Sequence, residues 1–260
     1  MKDLGHVYLV GAGPGDPELL TIKAMRALER ADVIVYDRLV STEILDMAPA
    51  GAARINVGKQ PKSHPVPQEE INQLLTRLAQ AGRTVVRLKG GDPLTFGRGS
   101  EEALELARRG IPFDIIPGIT SAQGCAATSK VPLTHRGLAS GVRYLTGHCR
   151  QDVRLDFDWR GLADPDTTLA VYMGLANIAE IAARLIEHGL DADTPVMAVS
   201  RGTTPTERRL VTTLGGVFDD ARRADLEGPA LFIIGRVVSL AEELAGVVDG
   251  GAEDDAALRA

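Results

Sequence analysis

The sequence predicts an α/β protein of two domains, each built on a mostly parallel or mixed sheet, with a ligand-binding cleft between them. Short β-branched runs alternate with longer helix-like stretches in the first half, which is typical of strands connected by covering helices. Aromatic residues make up only 4% of the 260 residues. The core must therefore consist mainly of aliphatic side chains, as in buried parallel sheets.

In the first half, five strands and three helices are expected. The predicted strands cover residues 7–10, 33–36, 54–57, 84–88 and 113–116. The predicted helices cover residues 17–30, 68–81 and 100–109.

In the second half, a loop-rich segment over residues 117–148 leads into a further set of strands and helices. Strands are expected at 143–146, 168–172, 196–200, 208–213 and 230–234, and helices at 178–188 and 214–223. We therefore expect an N-terminal domain over 1–117, a C-terminal domain over 118–248 and a disordered tail over 249–260.

The net charge of −6 argues against a nucleic-acid partner, since proteins that bind nucleic acids are usually basic. No apolar run approaches the ~20 residues of a membrane span, and no signal peptide is recognisable. Cys125 and Cys149 lack metal-ligand spacing, and the histidines do as well. We expect a cytoplasmic protein that contacts no membrane and holds no metal.

A glycine-rich loop, Gly11–Pro17, follows the first predicted strand. With Asp37 closing the second strand, it permits a dinucleotide-binding interpretation. The GxGxG spacing differs from that fingerprint, and Pro14 lacks the backbone N–H that a pyrophosphate would use. The loop favours a nucleotide-like ligand, with a simple tight turn as the alternative.

A second glycine-rich loop, Lys89–Pro93, leaves the fourth predicted strand and leads to Arg98 and Glu101. Two such loops at one sheet edge indicate a shared ligand site. Glu101 and Glu102 have a second interpretation, which is stabilisation of the helix dipole in the first turn.

The fifth predicted strand is followed by Thr120 and Ser121, which can cap a helix or touch a ligand. Basic side chains in the loops indicate a pocket for an anionic substrate. They are Lys59, Lys62, His64, His135, Arg136, Arg143, His148 and Arg150.

These motifs, taken in order from about residue 5 to 245, resemble those of the uroporphyrinogen-III C-methyltransferases within the tetrapyrrole methylase family. The segments that carry the resemblance are Val10–Pro17, Ala31–Val40, Val57–Lys59, Arg87–Pro93, Phe96–Gly99, Pro117–Ser121, Val131–Gly137, Thr146–His148, Val171–Gly174 and Arg201–Pro205.

The resemblance implies a homodimer that uses S-adenosylmethionine, held between the two domains, to methylate uroporphyrinogen III at C2 and C7. The product, precorrin-2, leads to sirohaem, cobalamin or haem d1. The implied cofactor-binding residues are Pro14, Gly90, Gly91, Asp92, Thr120, Ser121, Met173, Gly202 and Ala230. Proposed acid–base residues in relatives match Asp37 and Lys59 or, in a different assignment, Arg98 with Glu101 nearby.

The implied substrate carries eight carboxylates, and we expect His64, Arg136, Arg143 and Arg150 to bind them. Three alternatives remain open: a methylase of a later corrin intermediate, a nicotinamide-dependent oxidoreductase, and a non-catalytic tetrapyrrole-binding protein.

Overall fold

The computed structural model describes residues 4–58, 66–148 and 155–246. The tertiary contacts divide the chain into two units between Gly124 and Cys125. Each unit contains its own five-stranded sheet.

The sheet of the first unit is parallel throughout. Its strands are β1 (His6–Gly11), β2 (Val33–Tyr36), β3 (Ala53–Asn56), β4 (Thr84–Lys89) and β5 (Phe113–Ile116). They lie in the order β3-β2-β4-β1-β5. The carboxyl ends of all five strands therefore point to the same edge.

Helices cover both faces of this sheet. They are α1 (Ile22–Leu28), α2 (Thr42–Asp46), α3 (Gln68–Gln80) and α4 (Gly99–Arg108). α1 and α2 pack on the face lined by Val86 and Leu88. α3 and α4 pack on the opposite face, which includes Val85. This alternation along β4 is the period-2 pattern of a strand buried on both sides.

The predicted helix over 17–30 is interrupted. One turn of 3₁₀-helix covers Pro17–Leu19, and α1 begins only after Thr21. Asp16 accepts a hydrogen bond from the amide of Glu18 (2.9 Å), and Thr21 accepts one from the amide of Ala24 (3.1 Å). Two successive capping residues thus start two separate helical segments.

The second unit has a mixed sheet. Its strands are β6 (Gly141–Thr146), β7 (Thr167–Tyr172), β8 (Pro195–Ser200), β9 (Arg208–Thr213) and β10 (Ala230–Ile234). They lie in the order β6-β7-β10-β8-β9, and of these pairs only β6 with β7 is parallel. The prediction of two α/β domains with mostly parallel or mixed sheets is confirmed.

The remaining helices are α5 (Ser121–Thr128), which spans the division between the units, and α6 (Trp159–Leu162), α7 (Ile178–Glu187), α8 (Val217–Arg223) and α9 (Leu240–Ala245). Trp159, Ile181, Val217 and Phe232 belong to the core that α6, α7 and α8 form with the second sheet.

The prediction that residues 117–148 form a loop-rich segment was wrong for α5 and for the first residues of β6. α5 is rich in Ala and Gly and has little amphipathic pattern, so hydrophobic periodicity could not reveal it. Within the described residues, no helix has the length and apolar character needed to cross a bilayer.

Candidate active site

Three loops leave adjacent strands at one edge of the first sheet. They follow β1, β4 and β5, which are neighbours in the sheet and run in the same direction. The register places Gly11 opposite Lys89 and Val10 opposite Ile116, so the loops start at the same level. Such an edge is where ligands bind in open parallel sheets.

The first two loops are joined through Gly13 and Gly91. The amide of Gly13 donates to the carbonyl of Gly91 at 3.1 Å, and the amide of Gly91 donates to the carbonyl of Gly13 at 2.6 Å. Both residues have positive φ, +74° and +69°, a region in which a Cβ atom is strained. The two glycine-rich loops are therefore joined by a pair of backbone hydrogen bonds.

The third loop packs directly on the first two. A Cβ atom on Gly118 would lie 2.3 Å from the carbonyl oxygen of Gly91 and 2.8 Å from the Cα of Gly11. Ser121 lies beside the paired loops, with its Oγ 3.7 Å from the position that a Cβ on Gly91 would take. Thr120 is buried, with 7% of its surface exposed.

Asp92 connects the second loop to the third. Its Oδ1 accepts hydrogen bonds from the amides of Leu94 (2.9 Å) and Thr95 (3.1 Å). Its Oδ2 accepts one from the amide of Gly118 (3.2 Å). This carboxylate organises the loops in addition to the cofactor contact predicted for it.

Asp37 follows β2, the neighbour of β4 on its other side. Its Oδ1 accepts a hydrogen bond from the amide of Leu39 at 3.0 Å, and its Oδ2 lies 3.9 Å from Nη2 of Arg87. The side chain is 26% exposed. Leu39 also contacts the second loop, since a Cβ on Gly90 would lie 2.7 Å from its Cβ. Asp37 is thus a partly solvated carboxylate beside the glycine loops.

A cluster of charged side chains lies buried next to Asp37. Arg87, Lys89 and Glu102 are only 3%, 4% and 0% exposed. Oε1 of Glu102 accepts hydrogen bonds from Nε of Arg87 (3.1 Å), Nζ of Lys89 (2.9 Å) and Nε2 of Gln68 (3.2 Å). Burial, followed by the charge of Arg87, lowers the pKa of Lys89, and Glu102 opposes that shift.

Arg98 and Glu101 form a two-point ion pair at the start of α4. Nε of Arg98 donates to Oε1 of Glu101 at 2.8 Å, and Nη2 donates to Oε2 at 2.7 Å. About half of each side chain is exposed, 55% and 49% respectively. The hydrogen bond to Glu101 raises the pKa of Arg98, so this guanidinium keeps its proton.

In the second unit, three predicted cofactor-binding residues lie at one edge of the mixed sheet. Met173 follows β7, Gly202 follows β8, and Ala230 begins β10. Because β10 is antiparallel to both β7 and β8, its first residues lie beside the carboxyl ends of these strands. Met173 has φ of +54° and is half exposed.

The basic residues predicted to bind substrate are only partly described. The exposed Arg143 lies in β6 and donates through Nη1 to the carbonyl of Gly161 at 2.7 Å. Arg136 is exposed in the turn closed by backbone hydrogen bonds between His135 and Ala139. Lys59, His64 and Arg150 lie outside the described residues.

Sequence reasoning did not identify the buried cluster. From the sequence, Arg87 and Lys89 are recognisable only as parts of motifs, and Glu102 only as a helix-dipole residue. One signal was present in the sequence: Arg87 and Lys89 alternate with the apolar Val86 and Leu88 at the end of a predicted buried strand. Buried cations require a counter-charge, which a nearby helix must supply.

Comparison with known proteins agrees with this architecture. The family model of tetrapyrrole (corrin/porphyrin) methylases matches residues 6–217. A Paracoccus denitrificans protein named uroporphyrinogen-III C-methyltransferase is 57% identical, over 93% of this chain and 84% of that protein. A siroheme synthase of Azotobacter vinelandii is 52% identical over 94% of this chain, which spans 52% of that longer protein.

A solved structure supports the same relationship. The uroporphyrin-III C-methyltransferase of Thermus thermophilus, crystallised with S-adenosylhomocysteine, is 44% identical with a TM-score of 0.77. The match covers 90% of this chain and 93% of that one. With the family model matching most of its length, the chain belongs to the tetrapyrrole (corrin/porphyrin) methylases.

Proposed function

We propose that the chain is an S-adenosylmethionine-dependent methyltransferase that converts uroporphyrinogen III to precorrin-2 by methylation at C2 and C7. The paired backbone of Gly13 and Gly91, with Asp37 beside it, is the observation on which the proposal depends. The 57% identity to a uroporphyrinogen-III C-methyltransferase supports this substrate over a later corrin intermediate.

The residues present fit the proposed cofactor. A Cβ placed on Gly91 would be in van der Waals contact with Oγ of Ser121 at 3.7 Å, so glycine at this position keeps the backbone beside Ser121 clear of a side chain. Bound S-adenosylmethionine supplies a methyl group on a positively charged sulfur. The residues assigned to it are Pro14, Gly90, Gly91, Asp92, Thr120 and Ser121 from the first unit and Met173, Gly202 and Ala230 from the second.

Asp37 is the better-supported proton acceptor. Methylation of a pyrrole carbon requires that a proton leave a neighbouring carbon, and a partly solvated carboxylate can take it. Arg98 would first have to lose its own proton, and its hydrogen bond to Glu101 opposes that loss. We assign Arg98 and Glu101 to positioning the substrate, and Lys59 keeps its predicted acid–base role.

Arg136 and Arg143 are assigned to the carboxylates of the substrate, together with His64 and Arg150. The first two are exposed, as groups that meet a polyanion must be. Guanidinium groups suit this task because they bind carboxylates through two parallel hydrogen bonds. A homodimer and a cytoplasmic location are part of the same proposal.

The nicotinamide-dependent oxidoreductase is less well supported. Its fingerprint relies on backbone amides that meet a pyrophosphate at a helix start. Here Pro14 has no backbone N–H, and the N–H of Gly13 donates to the carbonyl of Gly91.

The decisive experiment is incubation of the chain with uroporphyrinogen III and methyl-labelled S-adenosylmethionine. We expect a product carrying two labelled methyl groups, seen by mass spectrometry. Absence of labelled product, or methylation only of a later corrin intermediate, would contradict the proposal. Thermal stabilisation by NAD but not by S-adenosylhomocysteine would favour the oxidoreductase.

A further inference from the structure

The buried cluster of Arg87, Lys89 and Glu102 lies on the sheet face that α3 and α4 cover. Arg87 and Lys89 are two residues apart in β4 and therefore point to the same face as Val85. Glu102 comes from the first turn of α4. The cations of β4 and the carboxylate of α4 thus meet in one buried cluster in the first unit.

Among the described residues, the charges of Arg87, Lys89 and Glu102 cancel only when Asp37 is included. With Arg87 and Lys89 both protonated, two cations face one carboxylate in the cluster, which leaves one positive charge in excess. Asp37, 3.9 Å from Arg87, supplies the second negative charge. An uncompensated buried ion is unfavourable, so the cluster is more stable with that carboxylate close to it.

Arg87 is fixed by contacts along its whole guanidinium group. Nε donates to Glu102 at 3.1 Å. Nη1 donates to the carbonyls of Leu88 (3.1 Å) and Val35 (3.4 Å). Nη2 is the nitrogen that faces Asp37. The planar group cannot rotate toward Asp37 or away from it without breaking these bonds.

We infer that Arg87 is a positioning residue for Asp37, and that Glu102 holds Arg87 in place. The inference rests on the proposed function only in the role given to Asp37. The cation faces Oδ2 of that carboxylate at an ion-pair distance of 3.9 Å, while the amide of Leu39 donates a hydrogen bond to Oδ1 at 3.0 Å. The residue thus acts on the reaction through Asp37 and not through the substrate.

A double-mutant cycle tests this inference. Arg87→Lys keeps the charge but cannot form the guanidinium contacts, so we expect kcat to fall at least tenfold while KM for S-adenosylmethionine changes less than twofold. In the Asp37→Asn background the same substitution should have almost no further effect on kcat. Multiplicative losses in the double variant would show that Arg87 acts independently of Asp37 and would overturn the inference.

Glu102→Gln removes the negative charge but keeps nearly the same side-chain shape. It provides a second test if the Arg87→Lys variant does not fold. Glu102 Oε1 accepts three hydrogen bonds, while Oε2 has no partner within the described residues. An amide can therefore keep the oxygen in place and put its nitrogen where Oε2 lies. We expect Glu102→Gln to reduce kcat less than Arg87→Lys does. In the Asp37→Asn background, Glu102→Gln should cause almost no further loss of kcat.

A measurement without turnover distinguishes failure of the inference from failure of the proposed function. Urea midpoints of Asp37→Asn, Arg87→Lys and the double variant should be non-additive, because the two side chains interact. The matched control is the surface pair Arg54 and Asp46, 2.8 Å apart, for which Arg54→Lys and Asp46→Asn should be nearly additive. Additive midpoints for Arg87 and Asp37 would overturn the inference whether or not the chain methylates uroporphyrinogen III.

Discussion

Gly202 lies against the thiol of Cys125. A Cβ atom on Gly202 would be 2.3 Å from Sγ of Cys125 and 3.3 Å from a methyl carbon of Val199. The absent side chain of Gly202 therefore leaves the space that the thiol occupies. This contact connects α5 to the loop after β8 inside the second unit.

Gly202→Ala should destabilise the chain because its methyl group overlaps the sulfur. We expect a loss of about 1–3 kcal/mol in the free energy of unfolding, as is usual for overpacking. Adding Cys125→Ala should restore part of that loss, since it removes the atom in the way. Urea unfolding of the two single variants and the double variant measures both effects, and no recovery in the double variant would contradict the assigned contact.

The Cys125 thiol should be unreactive in the folded protein. Burial, followed by the negative charge of Glu207, raises its pKa from 9.0 to about 12. At pH 9 the thiolate fraction then falls from one half to about one in a thousand. In a Cys149→Ser variant, an aromatic disulfide reagent should label Cys125 only in denaturant, and rapid labelling of the native variant would contradict this prediction.

The same shift makes stability depend on alkaline pH. Between pH 9 and about 12 the folded state keeps a proton that the unfolded state loses. The contribution of Cys125 to stability is therefore complete below pH 9 and decreases as the pH rises through this window. Compared with Cys125→Ala, the parent chain should lose stability more steeply above pH 9 in urea titrations.

Gly118→Ala should weaken the loop edge of the first sheet. Its methyl group would overlap the carbonyl of Gly91, and neither backbone can move without disturbing the pairing with Gly13. We expect a loss of about 1–3 kcal/mol in stability and weaker binding of S-adenosylhomocysteine by calorimetry. Gly51→Ala is the matched control: a Cβ there meets nothing within 4 Å, so stability should stay within about 0.5 kcal/mol.

Asp37→Asn should reduce kcat by roughly 100-fold or more, because the amide cannot accept a proton. Arg98→Lys keeps the positive charge and should mainly raise KM for the tetrapyrrole. S-adenosylhomocysteine affinity, measured by calorimetry, checks that both variants retain the cofactor site. Full turnover by Asp37→Asn would exclude this carboxylate as the base.

The strands were the most predictable part of the fold. β2, β9 and β10 have the predicted bounds, because runs of β-branched and aliphatic residues end sharply at polar or glycine-rich turns. The short helices α2 and α6 were not predicted. Five and four residues are too few to show a helical period, and packing against a core decides their conformation.

The sequence predicted those parts of the candidate site that depend on glycine in the backbone. Glycines at strand ends showed where the loops are and placed two of them at one sheet edge, whereas the pairing of Gly13 with Gly91 became visible only in the structure. Glu102 could not be assigned, since its partners come from β4 and from Gln68 in α3. A glutamate in the first turn of a helix can either stabilise the helix dipole from an exposed position or form a buried ion pair. Only the tertiary structure shows which of these applies to Glu102.

The position of β1 between β4 and β5, inside its sheet, has a consequence for biosynthesis. Val7 pairs across β1 with Val85 on one side and with Phe113 on the other, and both neighbours are translated long after it. A nascent chain that has not reached Ile116 exposes an apolar strand with open hydrogen-bonding edges, the kind of segment that associates with other chains. Ribosome stalling in the first hundred codons should therefore yield aggregated fragments. Once the complete first unit has left the ribosome, all five strands can pair.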